Sequence, residues 1–437
     1  MLKKLLLSTA LLASNTLFAQ RFLTDMMDTT TSSGKGLYAM FGENDKFRIA
    51  GYMQTQFQMT DSNGAKGFEG GDFAANADNR FMLRRGRLRL DYSHYNTKKQ
   101  PVAFMVFQYD FSERGAFVRD FFGRFYENKF EMFNFTTGIF ARPMGFEVNL
   151  GSADRESPER GRMSQILMKT ERDLGAMITF DPRKKSFPIK WLKADLGIFN
   201  GPGLSGTTDY DSHKDFIGRV SLKPLKLNQA GWKLSAATSI YLGGITNQST
   251  KIATVEGTGD NALIKIDSNI YHVGKNASRN YYGADVQLRI PNKKGFTEFR
   301  AEFMTGQQTA TANSTETPGV YPITSSGLNQ TLYTRNFRGG YFYFIQNLGS
   351  DKLQLVLKYD FYDPNTKVKG DQITASKGFT AADIRYNTYG AGVNYMLNAH
   401  LKALLYYAVV KNEATGIAGY TQDLKDNVLT LRLQYRF

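Results

Sequence analysis

The stretch from Arg80 to Tyr92 reads R-F-M-L-R-R-G-R-L-R-L-D-Y. As a β-strand it divides its side chains between two faces. Arg85, Arg87, Arg89 and Asp91 fall on one face, with Met82, Leu88, Leu90 and Tyr92 on the other. Arg84 and Gly86 share the apolar face and Phe81 and Leu83 the charged one, so the alternation is clean only from Arg85 onward. Three arginines in a row on one face cannot enter a packed apolar core, because an unpaired buried charge costs several kcal/mol or more. They require water or an anion. An exposed edge strand of a soluble sheet satisfies that requirement as well as a water-filled barrel does, so the rest of the chain must decide.

The far end repeats the pattern. Asn427 to Phe437 reads N-V-L-T-L-R-L-Q-Y-R-F, with Leu429, Leu431, Leu433, Tyr435 and Phe437 opposite Val428, Thr430, Arg432, Gln434 and Arg436. An apolar-out, polar-in strand suits the wall of a membrane barrel. Between these ends we identify sixteen strands, most of about 10 to 13 residues, the length that crosses a bilayer at a tilt. They cover 47–59, 80–94, 101–112, 117–127, 131–142, 172–182, 189–200, 214–226, 231–244, 278–290, 296–308, 337–347, 352–362, 384–397, 400–411 and 427–437. Connections alternate in length. Short ones at 95–100, 128–130, 182–188, 226–230, 291–295, 349–351 and 398–400 interleave with long polar ones near 60–79, 143–171, 201–213, 245–277, 309–336, 363–383 and 412–426. The connection at 112–116 is the short exception. Short turns on one side and long loops on the other, with an even strand count, predict an all-β transmembrane antiparallel barrel over 46–437. Closure removes the open sheet edges that lipid does not tolerate.

Composition agrees. Aromatic residues make up 14% of the chain, with 33 Phe and 24 Tyr against 2 Trp, a supply that membrane barrels place at their interfaces. Residues 1–19 read as a signal peptide: Lys3 and Lys4, an apolar run from Leu5 to Ala13, and a processing site at Leu17-Phe18-Ala19. Residues 20–45 fit neither strand nor helix and read as a flexible N-terminal segment. Export predicts the bacterial outer membrane as the destination. The formal charge of +15, less Lys3 and Lys4, leaves +13, which points to anionic partners, nucleic acid being the least compatible with export. There is no cysteine, hence no disulfide or thiolate chemistry.

One long loop stands out. Phe146 to Asp173 contains S-A-D-R-E-S-P-E-R-G-R-M-S-Q-I-L-M-K-T-E-R-D. Ser157-Pro158-Glu159 predicts a helix start, and Ile166, Leu167 and Met168 offer an apolar anchor, so the loop is expected to fold into the lumen as a constriction. Loops 245–277 and 309–336 are rich in Thr, Asn, Ser and Gly, which suits flexible covers. Enzymatic signatures fail. Gly201 to Gly206 matches G-x-G-x-x-G, but Thr207–Asp211 is turn-like where a helix is needed. His94, His213, His272 and His400 lack metal-ligand spacing. No enzyme activity and no cofactor are expected.

The chain resembles the phosphate-selective porin O and P family in four stretches: Arg80–Tyr92, Thr136–Glu147 (T-T-G-I-F-A-R-P-M-G-F-E), Ser157–Pro182 with its E-R-D-L-G core, and the terminal strand. The resemblance implies a sixteen-stranded trimeric barrel with a ladder of luminal arginines and an anion-selecting constriction loop. It places Arg85, Arg87 and Arg89 on the basic strand and Arg160, Arg162 and Arg172 in the constriction region. With Arg124, Arg142, Arg155 and Lys169 these form the expected anion pathway. The chain departs in the fifth strand, where Ile139 and Ala141 stand in place of inward polar or lysine side chains. The expected function is passive diffusion of phosphate or similar oxyanions. A general pore with weak anion preference, or a plugged-barrel receptor or adhesin, are the alternatives. Expected partners are small anions, outer-membrane lipid and lipopolysaccharide, other copies of the chain, and the barrel-assembly machinery through the strand ending in Phe437.

Overall fold

The computed structural model describes residues 45–206 and 209–437. The expected signal peptide and the segment at 20–45 lie outside the described residues, except Asp45, which opens the first strand. The strands, in chain order, are β1 Asp45–Thr60, β2 Asn79–Tyr95, β3 Pro101–Ser112, β4 Gly115–Tyr126, β5 Phe133–Ala141, β6 Arg172–Phe180, β7 Leu192–Phe199, β8 Asp215–Lys226, β9 Lys233–Thr246, β10 Lys251–Glu256, β11 Leu263–Ser268, β12 Asn276–Asn292, β13 Gly295–Ala310, β14 Leu332–Asn347, β15 Leu353–Asp363, β16 Tyr386–Met396, β17 Leu401–Asn412 and β18 Val428–Arg436. Strands β10 and β11 form a hairpin outside the wall; β9 pairs directly with β12, so sixteen antiparallel strands make the barrel. It closes where β1 meets β18, with Tyr52 opposite Arg436 and Thr60 opposite Val428. Gly51 and Phe437 complete the seam by exchanging backbone hydrogen bonds of 3.2 and 3.0 Å. A Cβ at position 51 would lie 2.5 Å from the Phe437 ring, so glycine makes room for that aromatic.

The barrel inverts the usual burial rule. Leu429, Leu431, Leu433 and Tyr435 of β18 stand exposed, whereas Thr430, Arg432 and Gln434 are buried inside. The same division puts Gln54, Gln56 and Gln58 of β1 inward and Met53 and Met59 outward. This is the arrangement in which lipid solvates the outer face and polar groups line the interior.

Two β-bulges explain where alternation fails. In β2, Gln54 pairs with Arg85 while the next residue, Thr55, pairs with Leu83, leaving Arg84 as the extra residue. A bulge re-aims the side chains around it, so Arg84 and Arg85 both point into the lumen and both reach Glu159. Phe81 and Leu83 then fall on the membrane side; Phe81 is 85% exposed. In β4 the pairing skips Arg119 between Val118 and Asp120, and Arg119 likewise turns inward to Glu171.

The fifth strand corrects the sequence reading. Ile139 pairs with Phe121 and Leu174, both exposed on the outer face. The inward residue is Phe140, buried among other luminal apolar side chains, so Ile139 and Ala141 do not line the channel. Loop 245–277 also differs from a flexible cover. Its hairpin lies alongside β14, with Ile252–Thr254 parallel to Leu332–Thr334. Val255 and Ala262 pack with Val368, Ile373 and Phe379 of the neighbouring loop in a small core above the barrel.

Candidate functional site: the constriction

The connection between β5 and β6 turns into the lumen at Gly145, whose φ of +66° favours glycine. A Cβ there would lie 2.0 Å from a carboxylate oxygen of Glu302. The close approach lets Glu302 accept hydrogen bonds from the backbone N–H groups of Phe146 (3.0 Å) and Glu147 (3.1 Å) while Tyr341 donates its hydroxyl at 2.6 Å. Glu147 in turn accepts from the Gly161 N–H at 2.9 Å and the Ser164 hydroxyl at 2.8 Å, tying the loop's beginning to its later part.

The loop's one helix, α1, is Arg162–Leu167, with Gly161 at its N-cap. It starts later than Ser157-Pro158-Glu159 suggests. Ser157 instead bonds the Tyr343 hydroxyl at 2.7 Å and the Glu159 carbonyl, and Glu159 faces the arginines of the wall. The helix and the loop's first residues bury Met144, Val148, Met163, Leu167 and Met168 against Phe140, Phe199, Ile217, Tyr281 and Phe337. The loop tip reaches the opposite wall. Lys402 donates to the carbonyls of Ala153 (3.1 Å) and Arg155 (3.0 Å), Asn394 to Glu156 (2.9 Å), Gln54 to Ser152 (3.0 Å) and Arg432 to Pro158 (2.8 Å). Wall side chains thus satisfy carbonyls that irregular backbone leaves free. The loop crosses the lumen, as the sequence led us to expect.

Its charged side meets a network of arginines. Glu159 is shared by Arg84 (2.8 Å), Arg85 (2.7 Å) and Arg432 (3.0 Å). Glu171 is shared by Arg119 (2.7 Å), Arg160 and, at 3.9 Å, Arg172. Asp91 pairs with Arg48 and Arg89, Asp110 with Arg87 and Arg119, Asp120 with Arg172, and Asp154 with Arg436. Among the described residues, ten arginines share six carboxylates in this network. Burial opposes ionisation of Glu159, but Arg84, Arg85 and Arg432 outweigh it and hold the carboxyl well below its usual range. Glu171 is held low in the same way by Arg119, Arg160 and Arg172 against its burial.

The expected pathway residues separate into groups. Arg85, Arg87, Arg89, Arg160 and Arg172 belong to the network. Arg87, Arg89 and Arg172, with Arg48 and Arg436, line a recess of about 200 Å³ at the short-turn end. Arg155 is buried in the loop, and its Nε and Nη1 have no hydrogen-bond acceptor. Arg124 donates to Thr136 at 3.0 Å, away from the loop. Arg142 is a fastener, donating to the carbonyls of Gly201 and Thr170. Lys169 pairs with Glu316 at 2.6 Å among the external loops. Arg162 lies on the other side of the constriction, stacked on aromatic rings. Sequence reasoning missed Arg84 and Arg119, which strict alternation turns outward, and Arg48, Arg432 and Arg436, which stand in otherwise ordinary strands. The adjacent charges Arg84-Arg85 and Arg119-Asp120 were the available signal for the bulges.

Residues 228–437 match the family model described as phosphate-selective porin O and P. That region includes the terminal strand; the Arg80–Tyr92, Thr136–Glu147 and Ser157–Pro182 stretches lie outside it. No curated protein matches the chain in sequence. Among solved structures, the barrel is similar to an anion-selective porin from Comamonas acidovorans, with a TM-score of 0.55 and 11% identity over 90% of this chain and 100% of that one. It is similar to the outer membrane channel DcaP of Acinetobacter baumannii, with a TM-score of 0.52 and 12% identity over 91% and 99%. It is also similar to Salmonella typhi OmpF in complex with daunomycin, with a TM-score of 0.52 and 13% identity over 90% and 98%. At such identities the structural likeness shows the fold. Taken with the sixteen-stranded wall and its inward loop, these findings give the chain the fold of an outer-membrane porin-type barrel, and its residues 228–437, just under half of the chain, match the phosphate-selective porin O and P family model.

Proposed function

We propose that this porin passes small anions in preference to cations, phosphate and similar oxyanions among them. The observation that carries this reading is the unequal sharing of ten arginines among six carboxylates on the charged side of the constriction, the side that meets β2, β4 and β18. Each arginine keeps its charge at neutral pH. Pairing therefore orders the guanidinium groups without cancelling their field, and the excess raises the local concentration of anions. Guanidinium donors also match the geometry of oxyanions. Spread along the wall, they offer successive weak sites from which an ion can leave. Assembly as a trimer, contact with lipopolysaccharide and delivery by the barrel-assembly machinery through the strand ending in Phe437 belong to this proposal as family expectations.

The test is the zero-current potential of the purified porin in a planar bilayer under a potassium chloride gradient. The expected sign is that of a chloride-selective pore. Phosphate added at low concentration is expected to reduce chloride conductance. Anion selectivity without that reduction would favour the general pore, and cation selectivity would overturn the proposal.

A further inference from the structure

A second cavity, of about 210 Å³, lies at the long-loop end of the constriction. It has the liquid volume of about seven waters, more than one small inorganic ion fills. Segments far apart in the chain build it: Phe68 of the 61–78 loop, Arg162 and Ile166 of α1, Ser314 and Thr315, Tyr362 and Tyr386 at strand ends, and Tyr420. The Gln165 side chain holds the first segment in place by donating to the Phe68 carbonyl at 2.8 Å.

Arg162 is the unusual member. It is only 8% exposed, yet among the described residues its guanidinium has no carboxylate within ion-pair distance, and its Nε has no hydrogen-bond acceptor. The guanidinium centre lies 3.6 Å from the Tyr386 ring centre and 4.7 Å from that of Phe68. Those rings help to compensate the buried charge. Their stacking leaves the edge donors as the groups that a ligand can use. Asp360 accepts from the Arg162 backbone N–H at 3.1 Å, and Glu316, which also lines the cavity, is paired with Lys169 at 2.6 Å. Burial pushes Glu69 up to about 7, which leaves it partly protonated near neutrality, while Asp426, pushed up to about 6, stays mostly ionised.

We propose that this cavity binds a hydroxylated organic anion of about monosaccharide size, a sugar acid, before it reaches the constriction. The carboxylate would take the free donors of Arg162, the hydroxyls would meet Ser314 and Thr315, and the carbon faces would pack on the half-buried Tyr420 ring. Inorganic phosphate would use the arginine but not the aromatic walls, and a neutral sugar would use the walls but not the charge. Polar groups converging beside aromatic side chains, as in this half-polar cavity, are a usual construction of a small-molecule site. The proposal concerns the outer vestibule and does not depend on the selectivity of the arginine network.

Titration calorimetry of the folded, purified porin with glucuronate, glucose and phosphate at low salt tests it. Glucuronate is expected to bind, with glucose and phosphate each weaker by about tenfold or more. Arg162→Gln is expected to weaken glucuronate by at least about tenfold. Tyr420→Ala, a change on a half-buried loop residue that leaves α1 intact, is expected to weaken it several-fold. Glucose binding equally well would show that the charge is not read. Phosphate binding equally well would show that the walls are not. Absence of glucuronate binding, or binding unaffected by both variants, would likewise overturn the proposal.

Discussion

On one side of the 142–171 loop, Met144, Met163, Leu167 and Met168 pack against Phe140, Phe199, Tyr281 and Phe337. On the other, Glu159 and Glu171 meet arginines of β2, β4 and β18. The apolar side gains from burial and needs no directional partner. The charged side gains less, because desolvating ions offsets most of their attraction. Packing therefore holds the loop in the lumen, while the charged side sets its register on the wall and the field that an ion meets. Removing parts of either side should produce different phenotypes.

The largest effect is expected from Glu159→Gln. It leaves Arg84, Arg85 and Arg432 without their shared carboxylate, and breaking such a buried cluster costs roughly 3–5 kcal/mol. Denaturant unfolding from lipid vesicles should show that loss, while the zero-current potential moves toward stronger anion selectivity because one negative charge has gone. Met163→Ala, on the apolar side, is expected to destabilise by about 2–4 kcal/mol through the cavity it leaves, with the sign and size of selectivity retained. A stability loss without a selectivity change separates the two sides.

Smaller effects follow from charges already secured. Glu159 and Glu171 have lowered native pKa values, so their ion pairs stabilise above the ordinary carboxylate range and are lost only as pH falls through the depressed values. Acidification from about pH 7 to about pH 5 should therefore leave the Glu159 and Glu171 carboxylates ionised, as read by infrared difference spectra against their Gln variants. Lys169→Ala, which removes a half-exposed pair with Glu316, should change stability by less than about 1 kcal/mol. It should leave selectivity at the constriction nearly as it was.

The wall was legible in the sequence because lipid on one face and water on the other impose a period of two, as β18 shows from Leu429 to Tyr435. The sixteen strands and the alternating loop lengths follow from that constraint. At β2 the same period misassigned Arg84, since a bulge depends on the partner strand and not on the strand's own sequence. Ile139 and Ala141 were misassigned for a related reason: in a short strand with Gly138 beside Phe140, residue type does not settle which face is inward. The constriction loop was recognisable from its apolar run and its arginines. Its carboxylates were not recognised as the organisers, because the pairing of Glu159 with Arg432 joins residues far apart in the chain. The vestibule around Arg162 was hidden for the same reason, as its walls come from separate loops.

The most direct test of the arginine network as the selectivity element is the zero-current potential of Arg87→Ala/Arg89→Ala, compared with the unaltered porin at low and high salt. These side chains line the short-turn recess and do not fasten the loop. Anion selectivity should fall markedly at low salt, and the difference should shrink at high salt, where a Debye length of about 3 Å at 1 M screens the field. An unchanged potential at low salt, from a folded and conducting double variant, would contradict the account.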